Sequence, residues 1–174
     1  MRNSVGMATL NIAYLADHPE AAPVLAEWFS TEWSDGTPEM SVTALTEYLS
    51  AAASRDQLPI CLLGLVDGDP VATATLKFRE IEFSSEADFW LGFVYVREEV
   101  RGHGYGRAIV TAAEAVAVAA HFTPLYLHTP LKESLYRRLG WQTVGATTTT
   151  QGKHSAVMTK HAERALPAGA SRSE

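Results

Sequence analysis

Hydrophobic and polar positions alternate in some segments of the chain and recur at helical spacing in others. Alternation over Thr9–Leu15 predicts a first strand, which the turn formers after it end. Apolar residues at helical spacing within Pro19–Trp33 predict an amphipathic helix, and the same spacing after Ser41 predicts a second. The turn formers of 34–38 predict an exposed connection between these two helices.

The middle of the chain carries three β-rich runs. The first two, Leu58–Val66 and Val71–Phe83, flank the turn 67–70, which contains Asp-Gly. Asp-Gly between such runs is a strong hairpin signal, so these strands are expected to pair antiparallel. Ala87–Val96 predicts a third strand, in which Gly92 marks a bulge or a close approach of the backbone.

The remaining pattern predicts a glycine-rich loop, a long helix, a strand, a short helix and a final strand pair. These elements are Arg101–Gly106, Tyr105–Ala120, Leu125–Thr129, Lys132–Leu139, and Trp141–Thr150 with Ser155–Lys160. The order predicts an α+β fold with a mixed, mostly antiparallel sheet flanked by helices and one strand–helix–strand unit near its middle. Residues 1–160 are expected to form one domain, and 161–174 a disordered tail.

Composition narrows the classes of partner. A length of 174 residues fits one domain, and a formal net charge of −6 argues against nucleic acid. The single cysteine, Cys61, cannot form an intrachain disulfide and lacks partners for a zinc site, so no metal is expected. The apolar window Ala108–Phe122 is too short for a bilayer span, so no membrane partner is expected. We expect a cytoplasmic monomer or homodimer.

Candidate chemistry lies in the loop after the third strand. Gly102, Gly104 and Gly106 alternate there, directly before a helix. Such glycines let the backbone approach a ligand closely, and the helix N-terminus adds a positive dipole, so the loop predicts phosphate binding. The spacing fits neither a Walker loop nor the G-x-G-x-x-G of dinucleotide-binding proteins, which weakens a nucleotide-binding interpretation.

Two segments together resemble the GNAT acetyltransferase superfamily. The R-x-x-G-x-G of Arg101–Gly106, after the strand Val94–Val96, is similar to that family's acetyl-CoA pyrophosphate loop. Tyr136–Trp141 resembles its Y-x-x-x-G-F/W segment. The order of elements agrees from about Leu10 to Lys160, and the specific motifs lie within Phe93–Gly145. The resemblance implies a single-domain GNAT-like fold with a central acetyl-CoA site between strand, loop, helix and strand.

The resemblance also implies an activity and a set of site residues. The activity is acetyl transfer from acetyl-CoA to a primary amine of a small molecule or peptide, by direct attack in a ternary complex. The implied residues for binding acetyl-CoA are Val94, Tyr95, Val96, Arg101, Gly102, His103, Gly104, Tyr105, Gly106, Arg107, Thr129 and Ser134. Tyr136 stands where the family's tyrosine protonates the departing thiolate, although a tyrosine there can also serve packing alone.

The stretch before Tyr136 departs from the family because it lacks an asparagine. Thr129 and Ser134 are the candidates to replace the hydrogen bond of that asparagine. His128 stands about where some members place a glutamate base, and it is a candidate base with an expected limb of kcat/KM near pH ~6–8. A purely structural histidine is an equal alternative.

Other candidates remain open at the level of sequence. Four acidic residues near a predicted strand turn are an alternative source of the base, but a solvated surface is favoured for them: Glu80, Glu82, Glu86 and Asp88. Four aromatic residues either wall an acceptor pocket or fill the core: Trp28, Trp33, Trp90 and Tyr48. A non-catalytic acyl-CoA-binding or sensing domain and a nucleotide-binding regulatory domain are the alternatives to an enzyme.

Overall fold

The computed structural model describes residues 9–161, in which seven strands form one sheet with α-helices packed on both faces. In chain order the elements are β1 (Asn11–Tyr14), α1 (Ala22–Trp33), α2 (Val42–Ala51), β2 (Ile60–Val66), β3 (Asp69–Phe78), β4 (Phe89–Val96), α3 (Tyr105–Ala119), β5 (Leu125–Thr129), α4 (Glu133–Arg138), β6 (Gln142–Thr148) and β7 (His154–Lys160). Most of the predicted tail, residues 162–174, lies outside the described part, as do residues 1–8.

The strands are arranged in the order β1-β2-β3-β4-β5-β7-β6. Every neighbouring pair is antiparallel except β4 and β5, which are parallel and joined by α3. The mixed, mostly antiparallel sheet with one central strand–helix–strand unit is therefore confirmed. No helix within residues 9–161 is both long and apolar enough to cross a bilayer.

Alternation along β2 and β3 divides the core between the two faces of the sheet. Ile60, Leu62 and Leu76 pack with α3 on one face, while Cys61 and Leu63 pack with α1 and α2 on the other. Cys61 is fully buried, as a small hydrophobic side chain in mid-strand should be. The period of two in the strands and the apolar stripes of the helices thus account for a three-layer arrangement.

The hairpin between β2 and β3 forms as its sequence predicts. Asp67 and Gly68 both have positive φ, 51° and 87°, which suits the tight turn of an Asp-Gly hairpin. The predicted extension of the second strand to Phe83 is wrong, because β3 ends at Phe78. Arg79 takes a positive φ of 46° and its N–H bonds to the carbonyl of Asp88, so an irregular loop replaces the end of that strand.

A bulge interrupts β4 where Gly92 predicts one, since the register against β3 shifts between Thr73 and Thr75. The residue with positive φ is however Phe93, at 47°, and not Gly92. Left-handed backbone is costly for an aromatic residue, and packing compensates for it. Phe93 stacks on Phe29 with ring centroids 4.4 Å apart.

Candidate active site

The two parallel strands separate soon after they meet. β4 and β5 pair only at Phe89 with Leu125 and at Trp90 with Tyr126, and beyond Trp90 no described residue of β4 pairs with β5. One edge of Val94–Val96 therefore lacks a partner strand. An open strand edge of this kind can pair with an extended ligand through its backbone amides.

The glycine-rich loop follows β4 at this open end of the sheet. Gly102 and Gly104 have φ of 84° and 82°, and a Cβ added to either would meet no atom within 4 Å. Gly104 is the N-cap of α3, so the free N–H groups of the first helical turn face the same space. Gly106 has a different role, since a Cβ added there would lie 3.6 Å from Val96 Cγ2, so the helix begins close to the strand. The loop is thus an open, electropositive concavity of backbone amides.

The basic side chains on this loop differ in how far other residues hold them in place. Arg101 donates from Nε to the carbonyl of Val96 at 2.9 Å, which leaves its terminal nitrogens available. Arg107 is exposed and forms no ion pair within the described residues. The Nδ1 atom of His103 lies 2.9 Å from the carbonyl oxygen of Val100, and its ring stacks on Tyr105.

Tyr136 lies on α4, directly after β5. Its side chain is buried and meets Trp141 edge to face, with ring centroids 6.0 Å apart. The indole of Trp141 is fixed in turn by a 2.9 Å hydrogen bond to Glu114. The hydroxyl of Tyr136 has no hydrogen-bond partner among residues 9–161, and burial raises its pKa to about 12. Tyr136 therefore keeps its proton at neutral pH and can still donate it.

His128 lies near the end of β5 and is half-buried. Its Nδ1 is 3.1 Å from the hydroxyl of Ser155 on β7, and its ring meets the ring of Trp90 edge to face. Burial lowers the pKa of His128, while the nearby charge of Glu80 opposes that shift. The imidazole is therefore neutral near pH 7 and has a free lone pair on one nitrogen.

The favoured interpretation of Glu80 as a solvated surface residue is wrong. Its side chain is 19% exposed, and Oε1 accepts a 2.9 Å hydrogen bond from Lys77 Nζ. The same oxygen lies 3.9 Å from Nε2 of His128. Oε2 is buried and has no hydrogen-bond partner in the described structure, which is costly for a carboxylate. Glu82 and Glu86 are exposed, as favoured.

Gly92 explains how this carboxylate reaches the site. A Cβ at Gly92 would overlap Glu80 Oε2 and lie 3.0 Å from Lys77 Nζ. The missing side chain therefore leaves room for a carboxylate from the loop after β3 to lie on the backbone of β4. In the sequence the glycine and the acidic run are separate features, and only the fold brings Gly92 and Glu80 into contact.

A cavity of about 530 Å³ opens beside this cluster on the α1 and α2 face of the sheet. Its lining is mostly apolar and includes Leu45, Tyr48 and Phe93. Burial raises the pKa of Tyr48, so its phenol stays neutral. Lys77 and Glu80 are the half-buried charged side chains of this wall. Among the four aromatic candidates Tyr48 thus walls the cavity, whereas Trp90 fills the core.

The two candidates to replace the absent asparagine differ in their surroundings. Thr129 is buried, and its Oγ1 accepts a 3.0 Å hydrogen bond from the N–H of Lys132. That bond fixes the turn that leads into α4, and the hydroxyl proton of Thr129 remains free to donate. Ser134 is exposed and its side chain bonds to no other described residue.

Solved structures share this architecture. The Salmonella typhimurium protein yncA, solved with its cofactor acetyl-CoA, superposes with a TM-score of 0.69 at 14% identity, covering 93% of this chain and 99% of its own. An aminoglycoside 6'-N-acetyltransferase complexed with coenzyme A gives 0.63 at 16% identity, with 88% and 98% covered. An acetyltransferase of the GNAT family from Streptococcus pneumoniae gives 0.63 at 16% identity, with 88% and 99% covered. At such identities these likenesses define the fold class alone.

The family follows from the sequence itself. The model of the acetyltransferase (GNAT) family matches residues 22–141, which is more than half of the chain. The protein belongs to the GNAT family and is an acyltransferase, as its two motifs predict. No curated protein matches the sequence significantly.

Proposed function

We propose that this protein transfers the acetyl group of acetyl-CoA to a primary amine by direct attack in a ternary complex. One observation carries the proposal. The open glycine loop directly follows β4, and Tyr136 lies on the helix directly after β5, and these are the two strands that separate. Because β4 and β5 are parallel, their carboxyl ends meet at one edge of the sheet, and the loop after β4 lies beside the helix after β5.

The open end of the sheet fits acetyl-CoA in charge and shape. Backbone amides from Gly102 to Arg107 would hold the pyrophosphate, with charge added by Arg101 and Arg107. The Cβ-free space over Gly102 and Gly104 is the room that phosphate oxygens require. The unpaired edge of Val94–Val96 would pair with the amides of the pantetheine arm. When bound, acetyl-CoA supplies an acetyl group activated as a thioester.

Tyr136 is proposed as the acid that protonates the leaving sulfur. Negative charge grows on the sulfur as its bond to the acetyl carbon breaks, and a neutral phenol can donate to it. The buried position and raised pKa of Tyr136 keep that proton in place until the charge develops. The backbone N–H groups of the β4 edge would polarise the acetyl carbonyl.

Two side chains are proposed to prepare the amine. Glu80 presents a buried oxygen without a partner, which a substrate ammonium can satisfy. His128, neutral near pH 7 and 3.9 Å from the other oxygen of the same carboxylate, would take the proton from the amine directly or through water. Glu80 thus orients the amine and His128 deprotonates it.

The cavity favours a small acceptor that presents a cationic amine beside an apolar segment. Its apolar wall would bury that segment, while the carboxylate of Glu80 attracts the ammonium. A polyamine, an aminoglycoside-like compound, an amino-acid derivative and a peptide N-terminus all carry such an amine. The proposed localisation is the cytoplasm, where acetyl-CoA is supplied.

Titration calorimetry and thiol release together test the proposed function. Acetyl-CoA should bind more tightly than NAD or ATP, and coenzyme A thiol should appear at a rate that depends on both the enzyme and an added amine. Tighter binding of NAD or ATP would favour a nucleotide-binding regulatory domain. Tight binding of acetyl-CoA without turnover on any amine would indicate a non-catalytic acyl-CoA-binding or sensing domain.

The role of His128 predicts a pH dependence. Burial lowers the pKa of His128 below its usual 6.5, so the imidazole loses its proton as the pH rises through that lower pKa, and kcat/KM should rise with it. The acidic limb of kcat/KM, which the sequence places near pH ~6–8, should therefore lie at a lower pH. In His128→Gln this acidic limb should disappear, which pH profiles of the two proteins would show. An unchanged profile would leave His128 as a structural residue bonded to Ser155.

Gly92→Ala tests the packing that places Glu80. Gly92 has no positive φ, so alanine suits its backbone, but the added Cβ would displace the Glu80 carboxylate. We expect kcat/KM for the amine to fall by about 10–100-fold, with acetyl-CoA affinity retained. Initial rates and calorimetry measure the two effects. The double variant with Glu80→Gln should be little worse than Glu80→Gln alone, whereas additive losses would contradict a shared cause.

A further inference from the structure

Lys77 places a primary amine of the protein itself in the cavity proposed for the acceptor. Its side chain is only 13% exposed and lies in the cavity wall. The ammonium nitrogen is 2.9 Å from Glu80 Oε1 and 3.6 Å from the centroid of the Phe93 ring, which it covers. A carboxylate and an aromatic face are the two groups that an acceptor ammonium would also need.

The same nitrogen lies beside the strand edge proposed for the thioester. It is 3.0 Å from the position of a Cβ on Gly92, and Gly92 lies two residues after the last β4 residue paired with β5. Lys77 itself pairs with Trp90 across β3 and β4, so the backbone fixes where its side chain begins. The Nζ atom of Lys77 is therefore held where β4 and β5 begin to separate.

The other described lysines have no such surroundings. Lys132 and Lys153 are exposed and their ammonium groups form no ion pair with another described residue. Lys160, opposite Leu125 on β5, is tied to Glu114 at 2.7 Å and to the carbonyl of Leu139 at 2.7 Å, and Leu125 still pairs with β4. Among the residues that the structure describes, Lys77 alone combines a half-buried amine, an adjacent carboxylate and a position where β4 and β5 separate.

We propose that the protein acetylates its own Lys77 when acetyl-CoA is bound and no acceptor fills the cavity. Glu80 holds the ammonium of Lys77, His128 takes one of its protons directly or through water, and the freed lone pair forms a bond to the acetyl carbon. The carbon–sulfur bond breaks with its electron pair on sulfur, and Tyr136 donates the proton that yields the coenzyme A thiol. The second proton of the nitrogen leaves as the amide forms and returns through water to the phenolate of Tyr136, while the proton taken by His128 goes to solvent. The products are an Nε-acetyl-lysine at position 77 and coenzyme A. This inference rests on the proposed function.

Peptide mapping by mass spectrometry after incubation with acetyl-CoA alone tests the proposal. Lys77 should gain its acetyl group about 100-fold faster than Lys132 and Lys153 in the same digest, because only Lys77 has a positioned base and acid. The first-order rate should be the same at low and high protein concentration, as an intramolecular reaction requires. Tyr136→Phe and Glu80→Gln should both slow it, and Lys132→Arg, at an exposed position, is the matched control.

The outcomes separate this inference from the proposed function. Equal acetylation of Lys77 and Lys153, or the same Lys77 rate in urea-denatured protein, would reduce the modification to background chemistry and overturn the proposal. If the protein acetylated added amines but left Lys77 unmodified after incubation with acetyl-CoA alone, the proposal would also be overturned, yet the proposed function would stand. Failure of acetyl-CoA to bind would instead contradict the proposed function. An amine substrate should slow Lys77 acetylation, since both compete for Glu80.

Discussion

Gly104→Leu should lower the affinity for acetyl-CoA by about 100-fold or more. A side chain at this position would enter the space over the loop amides, and each charge-assisted hydrogen bond lost there is worth about 1.5–3 kcal/mol. Gly104 also has a φ of 82°, a conformation that leucine adopts only with strain. Titration calorimetry of the folded variant would measure the loss.

A matched control separates ligand contact from backbone strain. Gly152, in the turn between β6 and β7, has a φ of 74° and equally open surroundings. Gly152→Leu should therefore carry similar strain while binding acetyl-CoA as the parent does. If folded Gly104→Leu bound acetyl-CoA as tightly as Gly152→Leu, the loop would not be the pyrophosphate site.

Tyr136→Phe should reduce kcat by about 10²–10⁴-fold with little change in acetyl-CoA affinity. The substitution removes only the hydroxyl, so the edge-to-face packing on Trp141 remains. An acid that acts on a leaving group stabilises chiefly the transition state, and its loss therefore lowers turnover more than binding. Single-turnover rates with the best amine found would separate the chemical step from product release.

Tyr126 provides the control for a buried phenol near the same strands. It lies on β5, is also buried and packs against Trp90 with ring centroids 5.5 Å apart. Tyr126→Phe should leave kcat near the parental value. Full activity of Tyr136→Phe with that best amine would assign its ring to packing and leave sulfur protonation to water.

Much of this fold could be predicted because local pattern and topology agree. The β-rich run of β2, the Asp-Gly turn and the alanine-rich α3 lie close to their predicted bounds, whereas β3 ends at Phe78, before its predicted end at Phe83. The glycine loop and Tyr136–Trp141 are also local signals, readable as motifs within one short segment each. The position of β4 beside β5 follows from the connection through α3, since a strand–helix–strand unit places its strands in parallel.

The surroundings of the proposed acceptor site depend on contacts that no local pattern contains. Glu80 lies in an irregular segment whose path is set by the positive φ of Arg79 and its pairing with Asp88. Its burial depends on the absent side chain of Gly92, and the alternation of the predicted strand gives no sign of that contact. Likewise, the hydroxyl that bonds His128 is 27 residues away. Tertiary packing therefore decides which of the acidic residues enters the site.

Mass detection of an acetylated amine is the most direct test of the central claim that this protein moves acetyl from acetyl-CoA to an amine. The purified protein would be incubated with acetyl-CoA and a panel of polyamines, aminoglycoside-like compounds, amino-acid derivatives and short peptides, with Tyr136→Phe in parallel. The account predicts an N-acetylated product from at least one cationic amine with an apolar segment, equal in amount to the thiol released and much reduced in the variant. Tight acetyl-CoA binding without any acetylated amine would contradict it.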